Sequence, residues 1–162
     1  MREKAKSPSW KTWAGVCAIA VLAPSLDAPS APAASAVATP LTPGAARIWF
    51  YRDYEPYVSL NTAPVSLNES LVGYVQADGS AFYRDVAPGH YHITVASIGM
   101  DVNQAKDVDL APGQEAYVKI LASNTWDSGG DVAQYRRDTF YVSLVPPQIA
   151  RSELPTRPLT GG

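Results

Sequence analysis

Residues 78–95 read DGSAFYRDVAPGHYHITV, and this stretch decides the fold class. Asp78-Gly79 is a turn dipeptide that tolerates positive φ. Phe82-Tyr83-Arg84 is a short aromatic strand. Pro88-Gly89 presets a type II turn, Pro fixing φ and Gly accepting φ > 0. After it, Tyr91, Ile93 and Val95 alternate with His90, His92 and Thr94, so the first set faces a core and the second faces out. The same grammar returns downstream. Val108–Leu110, the turn Pro112-Gly113 and Ala116–Leu121 form a second strand, turn and strand, read as a hairpin like the first.

Working outward, Ala45–Arg52 holds Ile48, Trp49, Phe50 and Tyr51 in a row. Large apolar residues on both parities predict a strand covered on both faces, or one central in its sheet. Asp53–Pro56 makes a turn, and Tyr57–Leu60 reads as a short strand. Val65–Asn68 and Leu71–Gln76 follow, with a tight turn at Asn68-Glu69-Ser70. Residues 123–137 read as a polar loop around Gly129-Gly130. Thr139–Val145 is the last strand, ended by Pro146-Pro147, and Ile149–Leu154 makes one helical turn before a polar tail at 155–162. About eight short strands without a long helix predict an all-β fold, a small antiparallel β-sandwich over residues 45–154.

The N-terminal part reads as an address. Arg2, Lys4, Lys6 and Lys11 precede the apolar run Ala14–Ala23, which Pro24 ends. A helical run of ten residues spans roughly 15 Å, half of the ~30 Å hydrocarbon core, so a signal peptide is expected rather than a membrane span. Cleavage is expected after Ala36, with the neighbourhood of Ser30 as the alternative. Cys17 follows a branched Val16 and lies inside the apolar run, which argues against lipidation. Residues 24–44 are rich in Ala, Pro and Ser without periodicity, so the chain entering the domain, 37–44 included, is expected to be a disordered linker.

Charge excludes some partners. The chain carries 13 basic and 15 acidic residues, and loss of residues 1–36 leaves nine and 13, a formal charge near −4. Such a domain has no electrostatic reason to bind nucleic acid or an anionic membrane, and it meets the membrane only transiently through the signal peptide. One Cys excludes an intramolecular disulfide and multi-cysteine zinc motifs. No pattern asks for a cofactor.

The order Asp78-Gly79, aromatic strand, Asp85-Val86, Pro88-Gly89 and Tyr91-x-Ile93-x-Val95 resembles the carboxypeptidase-regulatory, transthyretin-like sandwich. With Ala46–Arg52, Val65–Gly73, Pro112-Gly113-Gln114, Tyr117-Val118 and Ala150–Leu154 added, residues 45–154 resemble the bacterial domain-of-unknown-function 2846 family. That resemblance implies a β-sandwich and export, and supplies no catalytic residue. Many members are lipoproteins; this chain lacks a good lipobox.

Two groups of residues stand out chemically. His90 and His92, at i and i+2, point to one face, a spacing used by metal sites, with Asp85, Asp101 or Asp107 as the third ligand; the alternative is two solvent-facing histidines. Asp101, Asp107 and Asp109 lack the spacing of a calcium loop. No G-x-S-x-G is present. Transthyretin-like hydrolases end in Tyr-Arg-Gly-Ser, whereas this chain ends Pro158-Leu159-Thr160-Gly161-Gly162. Trp49, Tyr51, Tyr54 and Tyr57 gather around the first turn, where they either fill the sandwich or bind a ligand. Arg136-Arg137 is too small for a nucleic-acid patch. The expectation is a periplasmic or secreted, non-catalytic binding or structural module of the bacterial envelope, with an envelope protein or glycan as partner. The alternative is a metal-dependent or transthyretin-like hydrolase using His90 and His92.

Overall fold

The computed structural model describes residues 38–97, 102–127 and 135–160. The expected signal peptide, Cys17, the cleavage site, Asp101 and the Gly129-Gly130 pair lie outside the described residues. Eight strands run in chain order: β1 (Ala46–Tyr51), β2 (Ala63–Leu67), β3 (Ser70–Val75), β4 (Ala81–Val86), β5 (Gly89–Val95), β6 (Ala105–Leu110), β7 (Glu115–Asp127) and β8 (Tyr135–Leu144). A short helix, α1 (Pro147–Glu153), and a 3₁₀ turn, Leu154–Thr156, close the chain. One four-stranded sheet has the order β4-β1-β7-β8 and the other β3-β2-β5-β6. The expected all-β sandwich of about eight strands is therefore present. All neighbours are antiparallel except β1 and β7, which run parallel with Trp49 opposite Tyr117.

The alternation read from the sequence places the core. Ile48, Phe50, Val65, Phe82, Ile93, Val95, Val118, Ile120, Phe140 and Val142 are buried between the sheets. β1 is buried at all six positions. Its even residues enter the core, and Trp49 and Tyr51 enter a second cluster with Tyr117 and Ala150 on the outer face of the same sheet. Helix α1 starts with Pro147 at its first turn, where the missing N–H costs nothing, and it presents Ala150 to that cluster.

Both Pro-Gly units differ from their expected role. β4 lies in one sheet and β5 in the other, so Pro88-Gly89 is a step between sheets and not a hairpin. Gly89 opens β5 opposite Leu110 with φ 157°, far from the roughly +80° of a type II turn. Pro112-Gly113 does form the type II turn, with Gly113 at φ 76° and the Gln114 amide donating to Ala111 O at 3.1 Å, but it too crosses from β6 to β7 of the other sheet. Turn chemistry fixes a reversal of direction, and a reversal serves a hairpin and a step across the core equally. The β2–β3 hairpin has Asn68 and Glu69 at φ 47° and 68°, a two-residue turn with both residues left-handed.

Three further expectations are corrected. Tyr57–Leu60 is no strand: the Val58 and Ser59 amides both donate to Glu55 O, which coils the segment into a turn. The stretch 123–137, expected as loop, extends the β7–β8 pairing from Ser123 opposite Thr139 to Asp127 opposite Tyr135. The flanks of the domain are docked rather than loose. Ala38 and Leu159 pack on the second cluster, and the Ala81 amide donates to Pro158 O at 2.9 Å while Thr160 donates back to Ala81 O at 2.8 Å. Both flanks add cover to the outer aromatics of β1, surface that would otherwise meet water.

Gly79 generates a test of this frame. It sits at φ 80°, and a Cβ there would stand 3.1 Å from both the Cβ and the backbone N of Tyr54. Gly79→Val combines a left-handed β-branched residue with a tight approach to the Tyr54 backbone. It should lower stability by about 1–3 kcal/mol, read as a fall in the thermal midpoint; an unchanged midpoint would mean the 76–80 turn adopts another conformation.

Candidate functional site

Strand directions bring four connections to one end of the sandwich. β1 and β7 end there, and Ala81, the first residue of β4, pairs with Tyr51, the last of β1. Ala63 of β2 pairs with Val75 of β3, and Val65 with Val95 of β5. The β1–β2 loop (52–62), the β3–β4 turn (76–80), the β5–β6 connection and the extended β7–β8 arm therefore share this end.

A buried polar network shapes the β1–β2 loop. The Arg52 guanidinium is fully buried and donates to Asn61 O and Ser59 O, each at 2.8 Å, with Phe140 5.3 Å from its centre. Burial draws its pKa down, yet a guanidinium remains protonated at any ordinary pH. Ser59 Oγ donates to Asp138 Oδ2 at 2.6 Å and Asn61 Nδ2 to the same oxygen at 2.7 Å. Asn124 of β7 donates to Val58 O at 2.7 Å and ties the loop to the arm. A loop with its backbone carbonyls held in this way can present large side chains outward at little ordering cost.

Those side chains are aromatic and exposed. Tyr54 is 65% exposed, Tyr57 93% and Leu60 69%. Trp126, two residues along β7 from Asn124 and on the same side of the strand, is 66% exposed. Two concavities flank the loop. A cleft of about 540 Å³ is lined by Asn61, Thr62, Ser97, Asp138, Pro64 and Phe140, among others. A shallower groove of about 290 Å³ lies between the loop and the β3–β4 turn, lined by Tyr54, Leu60, Gln76, Ala77 and Asp78. Arg157 holds the two walls of that groove together: its guanidinium donates to Arg52 O, to Gly79 O at 3.2 Å and to Asp53.

The structure divides the expected aromatic quartet. Tyr54 and Tyr57 are on the surface. Trp49 and Tyr51 are buried on the outer face of β1, and they contribute to packing. Trp49 Nε1 donates to Glu115 at 3.2 Å, and Tyr117 OH donates to the other Glu115 oxygen at 2.6 Å. Burial pushes the Tyr51 phenol well above its ordinary pKa. Leu60 and Trp126 were not legible as site residues. Trp126 lies in the stretch read as a polar loop, and the alternation Ala122, Asn124, Trp126 was its signal.

His90 and His92 do share a face, the outer face of the second sheet. Each imidazole meets a carboxylate of the edge strand β6 directly opposite: His90 Nδ1 lies 2.8 Å from Asp109, and His92 Nδ1 lies 2.7 Å from Asp107. His90 Nε2 is also 3.5 Å from Asp107. Asp85, by contrast, pairs with Arg47 at 2.5 Å in the other sheet. Among the described residues, no group of three or more His, Cys, Asp or Glu side chains is arranged to hold a metal ion. The histidine face carries cross-strand ion pairs, which hold β6 to β5. No protein-family model matches the chain, and no curated protein matches it significantly.

The ion pairs predict a pH dependence. The Asp109 hydrogen bond, aided by the Asp107 charge, raises the His90 pKa. That contribution is complete below the unfolded His value near 6.5 and disappears as pH rises through the raised value. The His92 hydrogen bond and both imidazolium charges hold Asp107 below its ordinary value. Its contribution is complete above about pH 3.9 and disappears as pH falls through the lowered value. The pairs therefore stabilise most between roughly pH 4 and 6.5, weakly and in a salt-sensitive way because all four groups are exposed. Melting curves at pH 5.5 and 8.5 should show a fall in the midpoint that shrinks in His90→Gln and at 1 M salt. An equal fall in the variant would assign the pH dependence elsewhere.

Asp138 gives the opposite expectation, because it is buried. Asp138→Ala leaves the Ser59 hydroxyl and the Asn61 amide without their acceptor. The cost should be about 1–3 kcal/mol, measured by denaturant titration; a neutral result would mean the β1–β2 loop does not depend on this network.

Proposed function

We propose that this protein is an exported, non-catalytic binding module of the bacterial envelope and that the loop end of its sandwich is the binding surface. One observation carries the reading: Tyr54, Tyr57 and Leu60 stand exposed on a loop fixed from beneath by Arg52, Ser59 and Asp138, and Trp126 stands exposed at the same end on the β7–β8 arm. Tyr and Trp bring large contact area with few rotatable bonds, and contiguous apolar surface on a soluble domain marks interaction sites. The partner is an envelope protein or glycan. Export is supported by the basic, then apolar, N-terminal sequence and by the resemblance to an exported, transthyretin-like family. No helix among the described residues is long and apolar enough to cross a membrane. The two histidines offer a hydrolase little, since their faces are engaged by Asp107 and Asp109 and lie on an open sheet surface.

Co-sedimentation with isolated bacterial envelope fragments tests the reading. The exported protein should pellet with the fragments. Tyr57→Ala and Trp126→Ala should stay in the supernatant while melting like the parent, because both side chains are exposed. Retention of both variants at the parent's level would remove the loop end as the binding surface. Residues 37–162 contain Trp49, which is buried, and Trp126, which is exposed. Fluorescence of the processed protein should therefore respond at Trp126 when fragments bind.

A further inference from the structure

The geometry points to a saccharide subsite in the groove between the β1–β2 loop and the β3–β4 turn, with one neutral sugar unit of a glycan chain stacked on Tyr54 and hydrogen-bonded by Gln76 and Asp78. The inference rests on the binding-module reading and specifies its ligand. A pyranose ring has a C–H face that packs on an aromatic ring and a rim of hydroxyls that pair with planar amides and carboxylates. The groove supplies both halves. Tyr54 and Leu60 form an apolar wall, and Gln76 and Asp78 form a polar one. Its volume of about 290 Å³ suits a small unit of a longer ligand rather than an enclosed drug-sized molecule. Among the described residues no basic side chain lines it, and Asp78 adds negative charge, so phosphate and other anions are disfavoured.

The groove is also set before any ligand arrives. Gly79 holds the turn close beside Tyr54, since a Cβ at that position would stand 3.1 Å from both the Cβ and the backbone N of Tyr54. Ser80 N donates to Asp78 Oδ1 at 2.9 Å and fixes that carboxylate on the turn. Arg157 bonds the carbonyls of Arg52 and Gly79, one from each wall, so their separation is held by a side chain that is itself almost wholly buried. Preorganisation of this kind is what lets a shallow site hold a weakly binding, highly hydrated ligand.

Calorimetric titration of the exported, processed protein with chitotetraose, cellotetraose and maltotetraose tests the subsite. At least one tetrasaccharide should bind saturably. Tyr54→Ala and Gln76→Ala should each weaken it about tenfold or more, whereas Tyr54→Phe should stay near the parent, since stacking needs the ring and not the hydroxyl. Leu71→Ala should change the affinity by no more than about twofold, because Leu71 is exposed on β3 and does not line the groove. Melting curves of each variant separate loss of binding from loss of fold. Absence of saturable binding to all three sugars, or equal binding by folded Tyr54→Ala, overturns the subsite. If envelope co-sedimentation still depends on Tyr57 and Trp126 in that case, the binding module stands with a different ligand; if that also fails, both readings fall.

Discussion

Burial of β1 on both faces is the constraint from which the rest of the structure follows. A strand with Ile48 and Phe50 on one side and Trp49 and Tyr51 on the other cannot sit on a sheet with one wet surface. The inner pair is satisfied by the opposing sheet, as in any sandwich. The outer pair requires a third layer, and α1, Leu154, Leu159 and Ala38 provide it. The closing segment is thus part of the core in energetic terms, although it contains little regular structure. The central place of β1 also explains the parallel neighbour. β7 arrives from the other sheet at the end where β1 begins, held there by Gly113 donating to Ala45 O at 2.7 Å, and so it runs alongside β1 in the same direction.

The same segment links stability to the loop end of the sandwich. Beyond the 3₁₀ turn, Arg157 reaches under the loop end to Arg52, Asp53 and Gly79, while Lys119 joins Asp53 at 2.7 Å and Glu153 at 3.0 Å. Two acids and two bases compensate one another in a partly buried layer, with Tyr51 beneath them. Burial of single charges would be costly; burial of a closed set is tolerated because each member keeps a partner. The groove at Tyr54 is built on this layer, so its geometry depends on residues that never touch its opening.

The architecture was legible where side-chain periodicity carried the signal. β5 and the outward placement of His90 and His92 follow from alternation, β1 from large apolar residues on both parities, and β2, β3, β4 and β8 from short apolar or aromatic runs between turn signals. Topology was less legible. Pro88-Gly89 and Pro112-Gly113 mark reversals, and only tertiary packing decides whether a reversal stays in one sheet or crosses to the other. The arm was missed because its alternation is polar: Ser123, Asn124, Thr125 and Asp127 look like loop residues, and backbone pairing with β8 makes them a ribbon regardless. Of the aromatic quartet, the sequence leaves packing and ligand binding both open; the structure puts Trp49 and Tyr51 in the packing and Tyr54 and Tyr57 on the surface, a division hidden in the sequence because an aromatic beside a turn looks alike whether its ring points to solvent or under a helix. Trp126 and Arg157 lie dozens of residues from the β1–β2 loop in sequence, and only the fold brings them to the same end.

These placements also explain why the loop end, and not a face, is the surface to consider. The outer face of the β1 sheet is occupied by α1 and the closing segment. The outer face of the other sheet is open, but its centre and one edge are polar, with Ser66, Thr94 and the histidine–carboxylate pairs, and its larger apolar side chains, Leu71 and Tyr74, stand on the edge strand β3. Hydrogen-bonded ion pairs in water gain little by transfer to a partner, because desolvation offsets the contact. Exposed rings on a fixed loop gain more, since they lose apolar surface to the partner and almost no conformational freedom. The buried Arg52, Ser59 and Asp138 beneath that loop are therefore best understood as its support, converting a connection between two sheets into a rigid platform.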